Sequence, residues 1–124
     1  MSVLLDSDIL IEVSRGRNSE ILMRWSALRE AEAEILYSPV TEAELWAGVR
    51  PREYQELTNL LHSLLCVPID RETGRRAGEY LKLYGRSHSV ELADALIASA
   101  AALNAAQLWT RNRKHYPMKE LSFY

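Results

Sequence analysis

The chain reads as one α/β domain, a three-layer α/β/α sandwich whose central, mainly parallel sheet has four to five strands. Three observations predict this. Short apolar runs, each closed by a polar or turn-forming residue, recur along the sequence at Val3–Leu5, Ile35–Tyr37 and Leu108–Thr110. The segments between them carry apolar residues at helical spacing, so strands alternate with helices as a parallel sheet requires. A length of 124 residues suits one core and is too short for two, so residues 1–124 are expected to form a single domain.

Val3-Leu4-Leu5 is expected to be a buried strand ending at Asp6. Asp8 is expected to cap a helix that runs to Arg15 and stops at Gly16. Ser19 caps a second helix, in which Ile21, Leu22, Trp25 and Leu28 recur on one side. Ile35–Tyr37 forms the next strand, punctuated by Ser38 and Pro39, and a short helix runs from Thr41 to Ala47. Pro51 suits the first turn of a helix with Tyr54, Leu57, Leu60, Leu61 and Leu64 on its apolar side. Cys66–Ile69 reads as a third strand, and Asp70 caps a long helix ending at Gly85. After a polar link, an alanine-rich helix covers about Val90 to Asn104. Leu108–Thr110 is the fourth strand, and Leu121–Tyr124 adds a short last one.

Composition narrows the function classes. Hydrophobic residues at 48% and charged residues at 26% give an ordinary globular balance. Cys66 is the single cysteine, which excludes an intrachain disulfide and a thiolate zinc cluster and fits a cytoplasmic setting. The apolar start is interrupted at Asp6 and Asp8, unlike a secretory leader, and Ala93–Ala106 is too short to span a bilayer. The net charge of −2 does not advertise a polyanion partner. Basic clusters at Arg15 and Arg17, Arg50 and Arg52, Arg71, Arg75 and Arg76, and Arg111, Arg113 and Lys114 would serve one only if some converge; singly, each reads as a solvated helix face or end.

In open α/β sheets ligands bind beyond the carboxyl ends of the strands. Asp6 follows the first strand, Glu44 lies on the helix after the second, Asp94 begins the alanine-rich helix and Asn112 follows the fourth strand. Carboxylates brought to about 4 Å of one another repel by about 4 kcal/mol at an effective dielectric near 20, which a divalent cation offsets. Oxygen ligands of this kind suit Mg²⁺ or Mn²⁺. Each acid also has a plainer reading: Asp6 as a turn residue, Glu44 as surface in competition with Glu42, and Asp94 as a partner of the helix dipole. Glu91 is a helper or a cap one turn before Asp94.

The segments Leu4-Leu5-Asp6-Ser7, Thr41 to Gly48, Ala93 to Ala98 and Trp109-Thr110-Arg111-Asn112 resemble, in order, those of the PIN domain, and the whole chain resembles the VapC-type ribonucleases of toxin–antitoxin systems. The resemblance implies a Mg²⁺- or Mn²⁺-dependent endoribonuclease whose metal-activated water leaves a 5′-phosphate. It also implies a neutralising antitoxin and a homodimer or toxin–antitoxin hetero-oligomer; no membrane partner is expected, because no apolar stretch is long enough to span a bilayer. By position it assigns Asp6, Glu44 and Asp94 as metal ligands and places Asn112 where many relatives carry a fourth acid, so one well-held ion is expected rather than two. Ser7 and Thr110 are hydroxyl helpers, and Arg111, Arg113 and Lys114 are expected to hold the RNA backbone. His88 and His115 lie in polar connections without a nearby nucleophile and read as surface. The Trp25 and Leu57–Leu64 helix faces read as core, with a dimer or antitoxin groove as the other possibility.

Two rivals stand beside this. Asp6 and Asp8 match the nucleophile loop of haloacid-dehalogenase-like phosphatases, but the acids that chemistry needs after the fourth strand are missing. An inert PIN-like binding module is the non-enzymatic alternative. Metal binding by the isolated chain separates it from the nuclease.

Overall fold

The computed structural model describes residues 1–124. A sheet of four parallel strands, β1 (Ser2–Leu5), β2 (Glu34–Tyr37), β3 (Leu65–Cys66) and β4 (Gln107–Trp109), has the order β3-β2-β1-β4. Six helices surround it: α1 (Ser7–Arg15), α2 (Ser19–Glu30), α3 (Pro39–Gly48), α4 (Tyr54–His62), α5 (Arg71–Tyr84) and α6 (Leu92–Leu103). The α/β/α sandwich expected from the alternation is therefore present.

Strand side chains alternate between faces, and this divides the core in two. Leu4, Leu36 and Leu108 pack with Ala77, Tyr80 and the small residues Ala95, Ala98 and Ala101 of α6. Val3, Leu5, Ile35, Tyr37 and Trp109 pack on the other face with Ile9, Leu10, Ile21, Leu28, Leu45, Leu57 and Leu61. Leu28, Leu57, Leu61 and Leu64 are core, as their spacing suggested, whereas Trp25 and Leu60 are half-buried against it and Leu22 is also only half-buried. The alanines of α6 let α5 approach closely, and Ser99 Oγ donates to the Thr73 carbonyl across 2.8 Å.

Several boundaries differ from the sequence-based expectation. Asp6, not Asp8, caps α1: its side chain accepts from the Ser7 N–H, because the helix starts directly where the strand stops. Asn18, not Ser19, caps α2 by accepting from the Ile21 N–H at 3.0 Å. Helix α3 begins at Pro39 rather than Thr41, since proline tolerates the first helical position, where the N–H has no partner in any case. Pro51–Glu53 form a 3₁₀ turn before α4. The third strand is Leu65–Cys66 alone, and Val67 donates to the Tyr37 carbonyl before Pro68, which has no N–H to continue a ladder. Helix α6 starts at Leu92, after Ser89 with φ 52°. The proposed fifth strand is a single parallel bridge between Leu108 and Phe123.

The order of strands sets the site. From β1 the chain proceeds to β2 on one side, while β4 returns on the other, so the connections diverge beyond the carboxyl ends of β1 and β4. Such a divergence leaves a crevice. Asp6 and Thr110 are the first residues past those two strands, and the Asp6 N–H donates to the Trp109 carbonyl at 3.0 Å. No helix is long and apolar enough to cross a membrane.

Candidate acidic site at the carboxyl edge of the sheet

Asp6 anchors the site. Its Oδ1 accepts from the Ser7 N–H at 2.8 Å, and its Oδ2 accepts from Thr110 Oγ1 and from the Tyr116 hydroxyl, each at 2.9 Å. The next residue, Ser7, is buried and donates from Oγ to Glu44 Oε1 across 2.6 Å, with Thr41 Oγ1 at 3.2 Å. Ser7 therefore contacts two acids far apart in sequence, Asp6 through its N–H and Glu44 through its hydroxyl.

Glu42 and Glu44, the two candidates on α3, have different partners. Glu42 accepts from the Tyr37 hydroxyl at 2.9 Å and from the Trp46 indole N–H. Both its oxygens are engaged on the far side of α3, whereas Glu44 joins Ser7 beside Asp6.

Asp94 lies in the first turn of α6, where its Oδ2 accepts from the Glu91 N–H at 3.1 Å. This is the return half of a capping box, so Asp94 closes its own helix as well as facing the site. Burial raises its pKa, opposed by the Glu91 N–H and by the His115 charge, and the negative charge of Asp6 pushes in the same direction as burial. His115, expected to be a surface residue, directs Nδ1 toward Asp94 Oδ2 at 3.7 Å.

Asp8, expected as the cap of the first helix, instead reaches the segment after β4. Its Oδ2 accepts from the Arg111 N–H at 3.0 Å and from Asn112 Nδ2 at 3.3 Å, while its buried Oδ1 has no partner. Burial, then the neighbouring Asp6 charge, pushes its pKa up to about 6. Asn112 thus spends its amide N–H on Asp8, and its backbone N–H donates to Thr110 Oγ1 at 3.1 Å. These two bonds tie Asn112 to Asp8 and to Thr110.

The basic residues after β4 divide as well. Arg111 pairs with Glu12 at 3.3 Å, and Arg113 lies over the Phe123 ring and reaches the Tyr124 carbonyl at 3.4 Å. Lys114 is exposed and forms no ion pair. Tyr116, missed from the sequence, is buried beneath this segment with its hydroxyl on Asp6. Burial and the Asp6 charge raise its pKa, which keeps it a neutral donor.

No three Asp, Glu, His or Cys side chains are gathered tightly enough to form a complete metal cage. What the edge offers is an oxygen-only donor set with one orphaned carboxylate oxygen. That suits a hard cation which keeps most of its own water.

The PIN-domain model matches residues 3–121. The chain belongs to the PIN-domain family. It is 38% identical over 120 residues to ribonuclease VapC10 of Mycobacterium tuberculosis, covering 95% of this chain and 88% of that one. It is 29% identical to ribonuclease VapC19 of the same organism, covering 93% and 92%. These likenesses place this PIN domain among the VapC-type members. The same fold occurs in VapBC2 from Rickettsia felis bound to a promoter DNA fragment, with TM-score 0.82, 22% identity and coverage of 100% and 98%. It also occurs in DNA-bound VapBC from Salmonella typhimurium, with TM-score 0.83, 17% identity and coverage of 100% and 97%. Family membership overturns the haloacid-dehalogenase-like alternative.

Proposed function

We propose that this PIN domain is a metal-dependent endoribonuclease in which Asp6, Glu44 and Asp94 hold one Mg²⁺ or Mn²⁺ ion. The observation that carries the proposal is the Ser7 bridge: it brings Glu44 to Asp6 at the strand edge that Asp94 also faces, while Glu42 is engaged elsewhere. The likeness to VapC ribonucleases supports RNA as the substrate.

Bound there, a hard cation supplies Lewis acidity, polarising a phosphoryl oxygen and making water a stronger nucleophile near neutral pH. The protein's own contribution is orientation. Thr110, Tyr116 and the Ser7 N–H fix Asp6, Ser7 Oγ fixes Glu44, and the Glu91 N–H fixes Asp94. Lys114, exposed within the 3₁₀ turn Arg113–His115 after β4, would meet the phosphate backbone, with Arg111 and Arg113 assisting where RNA displaces their present partners.

An antitoxin partner is part of the same proposal, supported by the toxin–antitoxin complexes among proteins of this fold. So are a homodimer or toxin–antitoxin hetero-oligomer and a cytoplasmic place of action. The test is cleavage of RNA by the purified, antitoxin-free chain with Mg²⁺ or Mn²⁺ and with EDTA. Asp94→Asn should abolish the metal-dependent cutting with the circular dichroism spectrum unchanged. Full activity in that variant would make the assignment wrong, and absence of Mn²⁺ binding in the wild type would favour an inert binding module.

A further inference from the structure

A carboxylate offers about four lone-pair positions, two on each oxygen. Asp6 has already spent most of them. Both positions on Oδ2 are taken, by Thr110 Oγ1 and by the Tyr116 hydroxyl, each at 2.9 Å, and Oδ1 takes the Ser7 N–H at 2.8 Å. One position on Oδ1 is left.

The two hydroxyls are not free to turn away. Thr110 Oγ1 accepts from the Asn112 N–H at 3.1 Å, so its single hydrogen is directed to Asp6, and hydrogen bonds in such a chain reinforce one another. Tyr116 is 3% exposed, which leaves its hydroxyl little access to competing water. We propose that Tyr116 is a positioning residue that, together with Thr110, saturates Oδ2 of Asp6 and leaves Asp6 to bind the divalent cation through Oδ1 alone, in one orientation. Tyr116 touches neither metal nor substrate in this scheme. It acts through Asp6, as groups behind metal ligands commonly do. The inference rests on the metal-site reading above.

The test is calorimetric titration of the antitoxin-free chain with Mn²⁺, comparing wild type, Tyr116→Phe and Tyr80→Phe. Tyr80 is the control: it is equally buried and gives its hydroxyl to Glu120, away from the acids. Tyr116→Phe is expected to weaken Mn²⁺ binding by about 10- to 100-fold, with Tyr80→Phe matching wild type and both variants folded by circular dichroism. Binding within twofold of wild type in Tyr116→Phe overturns the inference and leaves the metal site standing. A wild type that takes no Mn²⁺ overturns both. Should Tyr116→Phe fail to fold, Thr110→Val and Thr110→Ser probe the same oxygen. Loss in the first with retention in the second supports the saturated Oδ2, and equal affinity in the two refutes it.

Discussion

Ser7 Oγ donates to Glu44 Oε1 across 2.6 Å, and this hydroxyl ties Glu44 to the residue next to Asp6. Ser7→Ala should release Glu44, an exposed residue on α3, to rotate into solvent. The expected result is a loss of Mn²⁺ affinity of about 10- to 100-fold, as for other groups behind metal ligands. Stability should fall by about 1 kcal/mol for the lost hydrogen bond. Titration calorimetry and urea denaturation measure the two effects separately, and unchanged affinity would show that Glu44 needs no bridge.

Glu42 and Glu44 should respond oppositely to the same change. Glu42→Gln removes a charged acceptor from the Tyr37 hydroxyl and the Trp46 indole, costing about 1 to 3 kcal/mol and shifting tryptophan fluorescence. RNA cleavage should persist. Glu44→Gln should lower cleavage by at least about 10- to 100-fold with little change in stability. A reversal of these phenotypes would make Glu42 the ligand.

That pair also shows where the sequence stopped being informative. The strand ending at Asp6 was legible because an apolar run followed by an acid leaves few alternatives, and Asp94 was legible because an acid among alanines has no packing role. Two glutamates two positions apart on one short helix differ only in what faces them. Their partners, Ser7, Tyr37 and Trp46, emerge only from the tertiary fold. Tyr116 was hidden more deeply: it meets Asp6 across 110 positions, and an isolated tyrosine before a proline carries no periodic signal. The third strand was read too long because Val67 and Ile69 look β-forming, while the proline between them ends the ladder.

Asn112→Asp tests whether Asn112 fastens Asp8. Its amide N–H lies 3.3 Å from Asp8 Oδ2, so a carboxylate there would face a carboxylate that is already poorly solvated. Thermal unfolding in EDTA should show a loss of about 1 to 3 kcal/mol. Added Mn²⁺ should recover part of this loss by neutralising the excess charge. Asn112→Ala should lose less, because it removes the donor without adding a charge. Equal stability of Asn112→Asp and wild type in EDTA would mean that the Asp8–Asn112 contact carries no weight.

Away from the site, the start of α5 gives a pH-dependent prediction. Asp70 accepts from the Thr73 N–H at 3.0 Å and from the Thr73 hydroxyl at 2.9 Å, and these bonds, the N–H first, hold its carboxyl below the ordinary value of 3.8. The unfolded chain therefore takes up the proton at a higher pH than the folded one. The contribution of the ionised cap is complete above the ordinary aspartate pKa and is lost as pH falls through the lower folded value. The urea midpoint of Asp70→Ala should lie below that of wild type by a constant amount from about pH 5 to 8, and the gap should shrink below about pH 4. Asp70→Asn keeps an acceptor at the cap, so its deficit should be smaller and should depend less on pH. A gap that widened on acidification would have the wrong sign and would show that the folded state does not favour the Asp70 carboxylate.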